Sequence, residues 1–117
     1  MQRNTCVALL RVAAIAIVGL ALIGFTGNAS AGEPQAAQVT IDNFSFTPAT
    51  LTIPAGTVVT WVNHDDIPHT VVSDDKTTFK SRALDTDDKF SFTFAKPGTY
   101  SYFCSIHPKM TAKVIVQ

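Results

Sequence analysis

Cys104, His107 and Met110 stand three residues apart in Cys104-Ser105-Ile106-His107-Pro108-Lys109-Met110. A second histidine, His69, follows Ile67-Pro68 and opens the β-branched run Thr70-Val71-Val72. One thiolate and two imidazoles form a trigonal donor set, and a weak thioether on its axis completes the ligands of a blue-copper electron-transfer site. A structural zinc site draws on more Cys or His and rarely takes Met. Taken singly, each residue has a blander reading. Met110 would fill core, His69 or His107 would sit on the surface, and Cys104 would be a small buried hydrophobe. Their conjunction favours one metal ion held by His69, Cys104, His107 and Met110. His64, in Asn63-His64-Asp65-Asp66, competes with His69 for the second imidazole. The strand that His69 opens favours His69, and leaves His64 as an exposed loop residue.

Ligands this sparse need rigid elements to aim them, and the sequence supplies strands. Thr50-Leu51-Thr52-Ile53 alternates with period two, and Lys89-Phe90-Ser91-Phe92-Thr93-Phe94 puts three Phe on one face. Val39 and Ile41, with Phe44 and Phe46, mark a first strand region, and Thr57 to Asn63 is β-branched and aromatic. Thr99 to Cys104 leads into the ligand loop, and Thr111 to Val116 leaves it with Ala112, Val114 and Val116 on one face. Pro54-Ala55-Gly56 and Lys96-Pro97-Gly98 are turns, the second with Pro and Gly in type II positions. Trp61 reads as core, and Asn63 as a support for the ligand loop. Seven or eight short strands between turns predict an all-β sandwich of two sheets. The polar segment Ser73 to Asp88, with Asp74, Asp75, Asp85, Asp87 and Asp88, is predicted as a loop or a short helix.

The N-terminus differs from this pattern. Arg3 and Arg11 precede the uncharged run Val12 to Phe25, and Ala29-Ser30-Ala31 offers a small-residue cleavage site. These features predict a secretory signal peptide over 1–31 and one mature domain over 32–117. The apolar run is short for a membrane span, which takes about 20 residues, so no stable membrane insertion of the mature chain is expected. Cleavage removes Arg3, Arg11 and Cys6, leaving seven basic side chains against nine acidic ones. Cys104 is then a lone thiol in an oxidising compartment, where a bound metal would protect it. With no excess of positive charge, a nucleic-acid role has no electrostatic support.

These residues resemble the cupredoxins, the small blue copper proteins. The resemblance runs through Phe46-Thr47-Pro48, Ile53-Pro54-Ala55-Gly56-Thr57, Val59-Thr60-Trp61-Val62-Asn63, Ile67-Pro68-His69-Thr70-Val71 and Pro97 to Cys104. It implies an eight-stranded Greek-key β-sandwich with copper at one end, His69, Cys104 and His107 as equatorial ligands, and Met110 as the axial one. The Cys-x-x-His-x-x-Met spacing resembles the short ligand loop of the amicyanins, and plastocyanin-like proteins have a longer His-to-Met spacing. Lys109 stands where amicyanins carry an aromatic residue. Thr70 stands where relatives often carry an Asn that ties the ligand loops, a task its hydroxyl could take over.

The expected function is one-electron transfer by a single type 1 copper ion in a monomeric periplasmic carrier, not an enzyme. Its partners would be transient redox proteins, a cytochrome or a dehydrogenase. His107 would be the electron port, set in an apolar patch of Ile67, Pro68, Ile106 and Pro108. One rival is a copper protein for delivery or resistance, which needs the same ligands. Another is a Cys–His hydrolase, which needs a substrate cleft that so small a sandwich hardly provides.

Overall fold

A computed structural model describes residues 35–117, so the signal peptide expected over 1–31 lies outside the described residues. Eight strands follow in order: β1 Ala36–Asp42, β2 Ser45–Thr47, β3 Thr50–Ile53, β4 Thr57–Asn63, β5 Val72–Ser73, β6 Lys89–Phe94, β7 Gly98–Phe103 and β8 Thr111–Val116. They form two four-stranded sheets, β2-β1-β4-β6 and β3-β8-β7-β5. The pairs β1–β4 and β3–β8 are parallel, and the others antiparallel. The expected all-β sandwich is therefore the observed architecture.

Alternation drives the sheets together. Val39 and Ile41 of β1, Val59 and Trp61 of β4 and Phe94 of β6 are buried from one side. Tyr102 of β7 and Val114 and Val116 of β8 meet them from the other. Trp61 is fully buried, with its ring centroid 5.5 Å from Tyr102 and 5.7 Å from Phe79. Such aromatic pairs add packing energy beyond their apolar area. Burial also pushes the Tyr102 hydroxyl up to about 12, although the nearby Trp61 ring N–H favours its ionised form.

Several expectations change. The first strand begins at Ala36, inside the stretch read as a polar lead-in, because its edge pairs in parallel with β4 from Val58 onward. Phe44 does not continue that strand. Asp42 pairs with Ser45, and Asn43 and Phe44 form a two-residue turn with φ of 49° and 56°. Both central residues have positive φ, as in a type I′ hairpin turn. Gly98 has φ of 154°, not the roughly 80° of a type II turn, and starts β7. The segment 73–88 contains no helix. It folds back on the strand run instead: Ser81 N–H donates to Val71 O at 2.8 Å, and Ser73 N–H to Phe79 O at 3.0 Å. Phe79 and Leu84 thereby reach the core.

Candidate metal centre

His69 lies just before β5 rather than at the start of a regular strand. Its backbone bridges Leu84, donating to Leu84 O at 3.1 Å and accepting from Leu84 N–H at 2.7 Å. This two-way pairing fixes the Cα, and the side chain is fully buried. Asn63, buried at the end of β4, holds the loop before it. Its amide donates to Ile67 O at 2.9 Å and Leu84 O at 2.8 Å, and its carbonyl accepts Asp65 N–H at 3.0 Å. The support expected of Asn63 is thus three hydrogen bonds around the loop that carries His69.

The other candidates sit in the loop that joins β7 to β8. Cys104 N–H donates to Met110 O at 3.0 Å, closing the loop, and Met110 N–H donates to His107 O at 2.9 Å. Cys104 and Met110 are buried, and His107 is half-buried. His69 Nδ1 lies 3.8 Å from Cys104 Sγ, and His107 Nδ1 3.7 Å from it. Ligand atoms of the three residues all lie within 4.8 Å of one another. First-row ions bind imidazole nitrogen and thiolate sulfur at about 2.0 to 2.3 Å, so donors at these separations can share one ion. His64 is excluded from the cluster; it is exposed and faces Asp87 at 3.6 Å.

Hydrogen bonds tie the two loops together and fit the sulfur to act as a thiolate. Thr70 N–H points at Cys104 Sγ at 3.3 Å, and the Thr70 hydroxyl lies 3.7 Å from the same atom. Ser105 N–H donates to Thr70 Oγ1 at 2.7 Å, and the two hydroxyls are also 2.7 Å apart. Thr70 therefore makes the tie expected of its hydroxyl. N–H and O–H donors aimed at sulfur stabilise negative charge there and tune a bound metal.

Asp65 was not legible as part of the site. Its Oδ2 lies 2.7 Å from His69 Nε2, which therefore donates and leaves Nδ1 free to face Cys104. The carboxylate also accepts Asn43 N–H at 2.7 Å and Phe44 N–H at 3.0 Å. Burial works against its charge, but the Phe44 N–H, the His69 ring and the Asn43 N–H outweigh it and hold the carboxyl below its ordinary range. Phe44 is the second unforeseen neighbour. With Ile106, His107, Pro108, Lys109 and Met110 it lines a surface depression of about 510 Å³. Of the apolar patch expected around His107, Ile106 and Pro108 line this depression; Ile67 and Pro68 do not, and Phe44 stands in it instead. In a linear sequence the only cue was Asp65 standing four residues before His69.

Comparison with known proteins places these features in context. Residues 13–116 match the family model described as a cupredoxin-like domain. The amicyanin of Paracoccus versutus is 34% identical over 125 residues, covering 89% of this chain and 93% of that protein. The purple cupredoxin of Nitrosopumilus maritimus superposes with a TM-score of 0.65 at 37% identity, over 69% of this chain and 99% of that one. A copper-containing nitrite reductase from Thermus scotoductus superposes with a TM-score of 0.67 at 35% identity, over 74% of this chain but 23% of the enzyme.

Proposed function

Since this chain belongs to the cupredoxin family, we propose that His69, Cys104, His107 and Met110 are the residues that would hold its copper. The observation that carries the proposal is the convergence of both His Nδ1 atoms on Cys104 Sγ, at 3.8 and 3.7 Å. The function is one-electron transfer by a mononuclear type 1 site. When bound, the ion supplies a Cu(II)/Cu(I) couple that takes up and gives back one electron.

The rest is the work of this chain's own residues. The backbone bridge at His69 and the Cys104–Met110 loop closure hold the donors still, so little must move when charge changes. Thr70 directs its N–H at the sulfur and stabilises negative charge there. Asp65 keeps His69 in one tautomer. The half-buried His107 is the port, lining the depression together with Phe44, Ile106 and Pro108.

A redox protein docking briefly on this depression is the expected partner, since small weakly held interfaces suit a carrier that must leave quickly. A cytochrome or a dehydrogenase would serve. The mature chain is a carrier and not an enzyme. It spans 23% of the nitrite reductase it superposes on, so that likeness reaches only part of the catalyst. Export to the periplasm through residues 1–31 follows from the charge and apolar pattern there. Among the described residues no helix is long and apolar enough to cross a membrane.

Voltammetry of the copper-loaded chain, with exchange broadening in mixed oxidation states, tests carriage against delivery. A reversible one-electron wave with fast self-exchange is expected. An irreversible wave, with copper passing readily to a weak chelator, would assign the chain to copper handling instead.

A further inference from the structure

The turn between β1 and β2 carries an unusual residue in an unusual conformation. Type I′ turns favour Asn-Gly, because both central residues have positive φ. Asn43 meets that preference. Phe44 occupies the glycine position at φ 56° with half its surface exposed. A residue with a Cβ is disfavoured there, and a large aromatic one most of all. Strain of this kind persists where surrounding groups enforce it. The enforcing group is Asp65, whose two carboxylate oxygens take the N–H groups of Asn43 and Phe44.

The conformation aims the ring. Phe44 packs edge-on to His69 with centroids 5.5 Å apart and planes at 89°, and edge-on to His107 at 5.1 Å and 87°. The two imidazoles are themselves 4.9 Å apart. Three rings from three separate segments thus form a triangle. His107 needs such a stop more than His69 does. His69 is buried and anchored at Nε2, whereas among the described residues His107 has its Nδ1 contact with Cys104 and no other side-chain hydrogen bond.

We infer that Phe44, held in a strained turn by Asp65, is a positioning residue for the two ligand imidazoles, and above all for His107. Asp65 is then a single brace with two arms, one directly on His69 Nε2 and one through Phe44 on His107. The inference rests on the proposed ligand set for its functional meaning. Its geometry is tested without copper.

The experiment measures ring order of His107 by NMR relaxation of its imidazole C–H groups in the copper-free full chain. It compares the unmodified protein with Phe44→Gly, Asp65→Ala and the double variant, alongside thermal melting. Phe44→Gly relieves the turn, so it is expected to melt no lower than the parent while His107 becomes mobile. Phe44→Ala, which keeps the Cβ, should loosen His107 in the same way. Asp65→Ala should also loosen His107, although no hydrogen bond joins the two residues, and should add nothing in the Phe44→Gly background. After loading, Phe44→Gly should release Cu(II) to a chelator roughly tenfold faster, the loss of edge-on aromatic contacts. A His107 ring equally ordered in the parent and in every variant would overturn the inference, as would additive effects of Phe44→Gly and Asp65→Ala. Failure of the proposed ligands would show only in the loaded protein, as absent copper binding, and would leave the copper-free result standing.

Discussion

His107 differs from the other candidate ligands in being half-buried, and it lines an apolar depression. Removing its ring leaves the inner donors in place and opens a channel of imidazole size. His107→Gly is therefore expected to bind copper with an altered spectrum, and added imidazole should restore the parent spectrum. A spectrum that the substitution leaves unchanged would remove His107 from the ligand set. Met110 offers a second residue-level test. Met110→Leu keeps the buried volume but withdraws a weak donor, so the reduction potential should rise while the intense colour from Cys104 remains. A potential that does not move would place Met110 outside the coordination shell. These four candidates stand out in the sequence because three share one seven-residue loop and their types are chemically distinctive. Asp65 and Phe44 could not. Nothing local reveals that one carboxylate meets two backbone N–H groups from a turn 21 and 22 residues away.

Among the elements, the ligand loops depend on Asn63 at the end of β4. Asn63→Ala leaves the Ile67 carbonyl without this donor and the Leu84 carbonyl with the His69 N–H alone, and a buried group left unpaired costs about 1–3 kcal/mol. A urea midpoint lowered accordingly, with weakened copper binding, is the expected result. The segment 73–88 has its own organising carboxylate. Asp75 accepts from the Ser73 hydroxyl, the Thr78 hydroxyl and N–H, and the Thr77 N–H, and these bonds hold its carboxyl well below the usual range. A depressed folded-state pKa stabilises the protein above the unfolded value of about 3.9, and the benefit is lost as pH falls below it. Asp75→Ala should therefore lower the melting temperature at pH 7 and converge on the parent in strong acid. A constant gap across that range would mean that the carboxylate charge plays no part. The strands were legible because period-two alternation marks one buried face. This segment was not, because Phe79 and Leu84 are single apolar residues in a polar run, and the hydroxyls of Ser73 and Ser81 organise it without periodicity.

At the scale of the whole molecule, one aromatic core stands behind the site. Trp61 meets Phe79, Phe90, Phe94 and Tyr102 from both sheets. Trp61→Ala should cost about 3–5 kcal/mol in chemical denaturation. A loss below about 1 kcal/mol would mean that the sheets do not depend on this junction. The sandwich leaves an apolar depression beside His107, where Ile106 is 45% exposed. Ile106→Lys should slow electron transfer to a partner without changing the copper spectrum. Adding Cu(II) to residues 32–117 and recording the visible and electron paramagnetic resonance spectra tests the copper site itself. An intense thiolate-to-copper band with narrow hyperfine splitting is the expected result. A weak, ordinary Cu(II) spectrum from folded protein would mean that Cys104 is not a copper ligand, and would overturn the assignment of a blue copper site.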